Sequence, residues 1–194
     1  MEYWKGRYEQ QGPVYVARHG MTPEQAAGQA GMFRKAIDRT RGRVLDYGCG
    51  VGRLAAYLSE TAHEYVGMDI CEGALEFARK AHGSNNVLFE PASGLHLLPD
   101  GYFDLTVCCT VLQHVPDEDI DRVMAQLKRV TKGRFCIIDS AEFDSTAEHM
   151  FPREPREFTR WLDLQEPIKR MLDVDHRGSH YVLTGRAATD IVAA

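Results

Sequence analysis

The sequence predicts a layered α/β fold, a doubly wound and mostly parallel sheet with helices on both faces, and three observations predict it. Short apolar runs suited to buried strands alternate with segments of helical periodicity along most of the chain. One such run, Val44-Leu45-Asp46-Tyr47, passes directly into three alternating glycines, Gly48, Gly50 and Gly52. A second, Tyr65-Val66-Gly67-Met68, ends on an acid, Asp69. A strand, a glycine turn, a helix and a second strand closed by a carboxylate describe the crevice of a doubly wound sheet.

The elements follow in order. Thr22-Pro23-Glu24-Gln25 carries the marks of a helix start: Thr as cap, Pro at the first helical position and Gln placed to complete a capping box. Ala26, Ala30, Phe33 and Ile37 keep helical spacing up to Gly42. The first strand takes residues 43–47, and Leu54 and Leu58 belong to the helix that opens after the glycines. Residues 65–68 form the second strand, 73–81 a helix, 86–89 the third strand and 103–108 the fourth. Ile120, Val123, Met124, Leu127 and Val130 share one helical face, and Phe135-Cys136-Ile137-Ile138 is a continuous apolar run typical of a strand buried on both faces. That makes five β-α units. The remainder holds a helix around 156–162, a run at 168–174 that its pattern does not assign, and a strand at 180–184. No internal repeat or low-complexity tract interrupts the series.

Composition sets outer limits. A chain of 194 residues with 44% hydrophobic content fits one domain with a substantial core, expected to span 1–194: amino-terminal segment 1–40, core 41–140, and 141–194 with the final strands. The opening residues show no apolar leader and no run is long enough to cross a bilayer, so the expectation is a soluble, cytoplasmic protein with no membrane partner. Cysteines at 49, 71, 108, 109 and 136 are odd in number and lack C-x-x-C spacing, which favours reduced core thiols over a structural zinc. A net charge of −5 argues against binding nucleic acid by counterion release. Basic clusters at 34–35, 39–43 and 128–134 fall at helix ends, where cations offset the macrodipole.

Further along stand Leu98-Pro99-Asp100-Gly101-Tyr102-Phe103-Asp104-Leu105, then Val111-Leu112-Gln113-His114-Val115-Pro116-Asp117, then Leu127-Lys128-Arg129-Val130-Thr131-Lys132-Gly133. Arg53 occupies the place where a dinucleotide fingerprint needs its third glycine, and Asp46 precedes the first glycine by two residues. In this order the motifs resemble the class I S-adenosylmethionine-dependent methyltransferases, small single-domain type, over about residues 40 to 140. The resemblance implies a Rossmann-like sheet with an antiparallel C-terminal strand, S-adenosyl-L-methionine as cofactor and S-adenosyl-L-homocysteine as product. It also implies a cofactor site made of Asp46, Gly48, Cys49, Gly50, Gly52, Asp69, Ile70, Ala92, Ser93 and Thr110. Asp46 orients the glycine loop, and Asp69 accepts bonds from ribose hydroxyls. An acid near the loop suits a cationic sulfonium ligand and would repel a pyrophosphate. Where the family often carries an acid for the adenine amine, this chain has Ala92 and Ser93; Ser93 offers a hydroxyl or a backbone carbonyl, or Pro91-Ala92-Ser93-Gly94 is simply a turn.

Methyl transfer from a sulfonium is an in-line displacement, so much of the catalysis is positioning. His114, after the fourth strand, is the candidate base for an acceptor that arrives protonated; alternatively it only orders its loop. His149 and Arg153 are candidates for the acceptor side, or solvated loop residues. Tyr3-Trp4-Lys5-Gly6-Arg7-Tyr8 resembles a lid folded over cofactor and acceptor, with Tyr8 as a binding residue, or is a short amphipathic helix packed on the core. Asp139 and Asp144 lack the following Asp-Asn pair of metal-dependent relatives, so no metal is expected. Cys108-Cys109-Thr110 replaces the Pro-Pro-Tyr type motif of nucleic-acid amino methyltransferases, so DNA is disfavoured. A small-molecule oxygen or nitrogen acceptor leads, ahead of a peptide or protein acceptor shaped by Phe151-Pro152-Arg153-Glu154-Pro155-Arg156. A cofactor-binding, non-catalytic regulatory subunit and a nicotinamide oxidoreductase domain are the readings from other classes. Oligomeric state is not readable from the sequence.

Overall fold

Strands β1 (Arg43–Tyr47), β2 (Glu64–Asp69), β3 (Val87–Pro91), β4 (Phe103–Cys109) and β5 (Thr131–Ser140) run parallel, side by side in the order β3-β2-β1-β4-β5. The computed structural model describes residues 2–18, 37, 40–140, 149–164, 169–172 and 179–187. Strand β8 (Ser179–Ala187) lies antiparallel to β5, and β6 (Leu162–Leu164) and β7 (Lys169–Leu172) both pair antiparallel with β8. The chain leaves β1 in one direction to build β2 and β3 and in the other to build β4 and β5. Neighbouring connections therefore diverge between β1 and β4, which opens a crevice at the C-terminal strand ends.

Strand periodicity assigns the two faces. Val44, Leu105, Val107 and Ile138 pack with Leu58 of α2 (Ala55–Leu58) and Leu75 and Ala78 of α3 (Glu72–His82). Leu45, Cys108, Phe135 and Ile137 pack on the opposite side with α4 (Asp117–Val130), whose buried Ile120, Met124, Leu127 and Val130 form its inner stripe. Acids fill the first turn of α4 and Lys128 and Arg129 its last. Arg129 also donates to the carbonyls of Leu95 and Leu98 and to Asp100, fastening the 3₁₀ turn Ala92–Leu97. All five cysteines are free and buried. Among the described residues no helix is long and apolar enough to cross a membrane.

Several details depart from expectation. The helix after the glycines is short, because residues 51–54 are spent on turns. Residues Pro155–Arg160 form a 3₁₀ segment rather than an α-helix: a capping box between Glu154 and Glu157 starts it, and Trp161 ends it where β6 begins. The unassigned run at 168–174 contains strand β7. Residues 22–36 lie outside the described residues, while Ile37 is buried in the core. The amino-terminal stretch is helical, α1 (Glu2–Arg18), and broken at Gly12.

Candidate active site

Parallel register brings the expected residues to one edge. Tyr47 stands beside Met68 and Cys108, and Asp69 beside Pro91. Gly48, Ile70, Ala92 and Thr110 therefore leave adjacent or nearly adjacent strand ends. The N–H groups of Gly48 and Cys49 both donate to the Met68 carbonyl, at 2.7 and 3.1 Å, which folds the loop across the end of β2. Gly48, Gly50 and Gly52 all have positive φ, a region that penalises a Cβ. A Cβ on Gly48 would run into the Val111 side chain, whereas one on Gly50 would meet nothing within 4 Å. The loop is thus packed on one side and open on the other.

Asp69 fixes that open turn. Its Oδ2 accepts from the Gly50 N–H and its Oδ1 from the Cys71 N–H, both at 2.9 Å. Burial pushes its carboxyl up from the ordinary range, and the N–H groups of Cys71, Gly50 and Ile70 pull it back. Three donors leave the carboxylate one free lone pair. Asp46 is buried beneath the loop and accepts a 2.7 Å bond from the Tyr65 hydroxyl. Burial raises its pKa to about 6 against the opposing effects of Tyr65 and Arg53. Arg53 reaches across to the Cys109 sulfur at 3.7 Å, so the residue in the third-glycine place spans the loop and the end of β4.

Thr110 is the one non-glycine residue with positive φ (58°) among the described residues. Its N–H donates to the Ile138 carbonyl at 2.6 Å and its hydroxyl to the Cys109 carbonyl, which hold the strained residue in place. The turn that follows presents His114. Its Nδ1 lies 3.1 Å from the His149 carbonyl oxygen and its Nε2 3.2 Å from the Gln113 amide nitrogen. Rings converge on it from two other segments: Trp4 packs edge-on at 4.7 Å between centroids and the His149 ring lies nearly parallel at 5.6 Å. Tyr3 stacks on His149 at 3.7 Å. The amino-terminal stretch is therefore a helix that packs Tyr3 and Trp4 against the two histidines.

Two candidates stand elsewhere than expected. Tyr8 packs against Gly73 and lines a cleft of about 470 Å³ with Lys5, Glu9, Ile70, Cys71 and Glu72, beside the end of β2 and away from the cluster around His114. Arg153 is not a solvated loop residue. It is buried, and its guanidinium donates to the carbonyls of Leu112, Val115 and Phe151 and to Asp117. The Ser93 carbonyl is bonded to the His96 ring at 2.7 Å, so it is already engaged, while the Ser93 side chain is exposed. Asp144 lies outside the described residues.

Sequence reasoning passed over Tyr65 and Gln113 and weighed Asp139 only as a metal ligand. Tyr65 had a signal: it pairs with Val44, so it shares a face with Asp46 on the neighbouring strand. Asp139 is buried at the end of β5, with the N–H groups of Gln113 and Val111 at its carboxyl, and burial pushes its pKa well above the ordinary range.

A sequence model of a methyltransferase domain matches residues 44–134. The uncharacterized methyltransferase YcgJ of Bacillus subtilis is 30% identical over 145 residues, covering 70% of this chain and 53% of that protein. A ubiquinone biosynthesis O-methyltransferase of Bordetella parapertussis is 30% identical over 143 residues, covering 71% and 53%. The chain thus spans about half the length of these curated relatives. The crystal structure of Burkholderia thailandensis 1,6-didemethyltoxoflavin-N1-methyltransferase, with bound 1,6-didemethyltoxoflavin and S-adenosylhomocysteine, shares the fold with a TM-score of 0.72. It is 21% identical, and the match covers 97% of this chain and 87% of that one.

Proposed function

The chain belongs to the class I S-adenosylmethionine-dependent methyltransferase family, and from that premise we propose that it transfers a methyl group from S-adenosylmethionine to an oxygen or nitrogen of a small-molecule acceptor. The observation that carries this reading is the glycine loop at 48–52, closed on its Val111 side, open at Gly50 and tied by Asp69 at the C-terminal ends of β1 and β2. The residues there suit the cofactor. Asp69 keeps a lone pair for a ribose hydroxyl, Ile70 and Ala92 offer apolar walls to a purine, and the loop backbone lets a ligand approach Gly50 closely. When bound, S-adenosylmethionine supplies a methyl group activated by a positively charged sulfur. Asp46, Cys49, Gly52 and Thr110 shape the rest of the cofactor's surroundings.

On the acceptor side, neutral His114 takes the proton of a hydroxyl or ammonium, and Tyr3, Trp4 and His149 keep water from that end of the crevice. Oxygen and nitrogen acceptors are supported alike, since one relative is named an O-methyltransferase and one structural neighbour an N1-methyltransferase. Isothermal titration with S-adenosylmethionine, S-adenosylhomocysteine and NAD tests the reading. Binding of both adenosyl ligands is expected, and an acceptor screen scored by S-adenosylhomocysteine release and product mass then identifies the acceptor. Binding of NAD alone would overturn the assignment, and release of product only with peptides would replace the small-molecule reading.

A further inference from the structure

We propose that Arg153 is a positioning residue that holds the His114 imidazole in its Nδ1-protonated neutral form and so leaves Nε2 as the proton acceptor, a role that rests on reading His114 as the base. Arg153 is 6% exposed, and one cation spans two segments that are far apart in sequence. Nη1 donates to the carbonyls of Leu112 at 2.7 Å and Phe151 at 3.2 Å; Nη2 donates to the Val115 carbonyl at 2.8 Å and to Asp117 Oδ1 at 2.6 Å. Leu112 and Val115 bracket Gln113 and His114, and Phe151 stands two residues beyond His149. The Phe151 N–H closes the joint by donating to the Gln113 carbonyl at 2.7 Å. From beneath, Asp139 accepts from the N–H groups of Gln113 and Val111.

This joint sets the distance between the His149 carbonyl and His114 Nδ1 at 3.1 Å. A carbonyl oxygen only accepts, so Nδ1 carries the proton; the other neutral tautomer would set two lone pairs against each other. Nε2 then bears the lone pair, which accepts from a Gln113 amide N–H at 3.2 Å and becomes available as a base when the acceptor displaces that amide. Arginine suits the task because its planar fork serves three carbonyls and a carboxylate together, a set that a lysine ammonium with three donors cannot match.

Long-range ¹H–¹⁵N NMR on the full chain reads the tautomer directly. At about pH 8.5, some two units above the ordinary imidazole pKa of about 6.5, the ring is neutral. The signal that disappears in His114→Gln belongs to His114. The wild-type protein is expected to show the Nδ1–H form alone, and Arg153→Gln comparable populations of both forms. Arg153→Lys, which keeps the charge, is expected to show a smaller admixture of the second form, and it decides the matter if the glutamine variant does not fold. A wild-type ring protonated at Nε2, or a folded Arg153 variant that still shows Nδ1–H alone, would overturn the proposal. Failure of the functional reading is distinguishable: full turnover by His114→Gln would remove the base, while a tautomer disturbed by the Arg153 variants would still uphold the positioning role.

Discussion

The two sides of the crevice are held in shape by different means. On the side proposed for the cofactor the contacts belong largely to the backbone: the glycine loop bonds to the Met68 carbonyl, and Asp69 bonds to the N–H groups of Cys71 and Gly50, with Arg53, reaching 56 residues to Cys109, as the long-range side-chain exception. On the side proposed for the acceptor, the shape is kept by side chains that reach 35 residues along the chain, from His114 to His149, or 41, from Arg153 to Leu112. A site made of backbone turns keeps one shape as long as its glycines and one carboxylate remain. A site made of long-range side-chain contacts can be altered without disturbing its neighbour. The two sides should therefore respond separately to substitution.

The largest expected effect falls on the acceptor side. His114→Gln is expected to lower turnover by about 10²- to 10⁴-fold, the usual contribution of a positioned base, while leaving the Kd for S-adenosylhomocysteine unchanged. A change in both would mean that the two sides are one unit. Next comes Gly48→Ala, which combines positive φ with a collision against Val111; a loss of about 3 kcal/mol in urea unfolding is expected. Gly50→Ala, with open space at its Cβ, should cost only about 1 kcal/mol of stability. Similar losses for both would show that backbone strain alone governs the loop. Asp69→Ala removes the carboxylate that ties the loop and is proposed to meet the ribose. Titration should show S-adenosylhomocysteine binding weaker by about 100-fold, equivalent to one or two charged hydrogen bonds. The His114 tautomer should not move.

The same contrast explains what the sequence disclosed. The glycine loop and Asp69 were legible because positive φ demands glycine and because a strand's last residue can be located from its apolar run. The five parallel strands were legible for the second reason. Arg153 was not: burial of an arginine outside regular structure depends on Leu112, Val115 and Asp117, which no local pattern connects to it. Tyr8 was chosen for the acceptor side, yet Tyr3 and Trp4 meet the two histidines, because composition does not say how α1 is turned toward the crevice. Thr110 carries positive φ although β-branched residues avoid it, so its backbone conformation was invisible from residue type. Strand β7 and the 3₁₀ segment Pro155–Arg160 were missed or misread because short elements are decided by packing rather than periodicity.

Whether the cofactor side depends on backbone alone turns on the Tyr65 hydroxyl on Asp46, a buried side-chain bond within it. Asp46 has its folded pKa raised from 3.8 to about 6. For a raised acid, the stability this group contributes is fully present below about pH 3.8 and is lost as pH rises through about 6. The stability this group loses between pH 4 and pH 7 is absent in Asp46→Asn, so unfolding free energy should fall by about 2 kcal/mol less over that range than in the wild-type protein. The Tyr65 bond favours the charged form, so Tyr65→Phe should move the Asp46 titration upward by about one unit and cost about 1 kcal/mol at neutral pH. Carboxyl ¹³C titration measures the first and urea unfolding the second. A downward shift would mean that the phenol stabilises the neutral acid instead. If S-adenosylhomocysteine binding also weakened markedly in Tyr65→Phe, the loop would owe its shape to the side chains beneath it, and the contrast between the two sides would disappear.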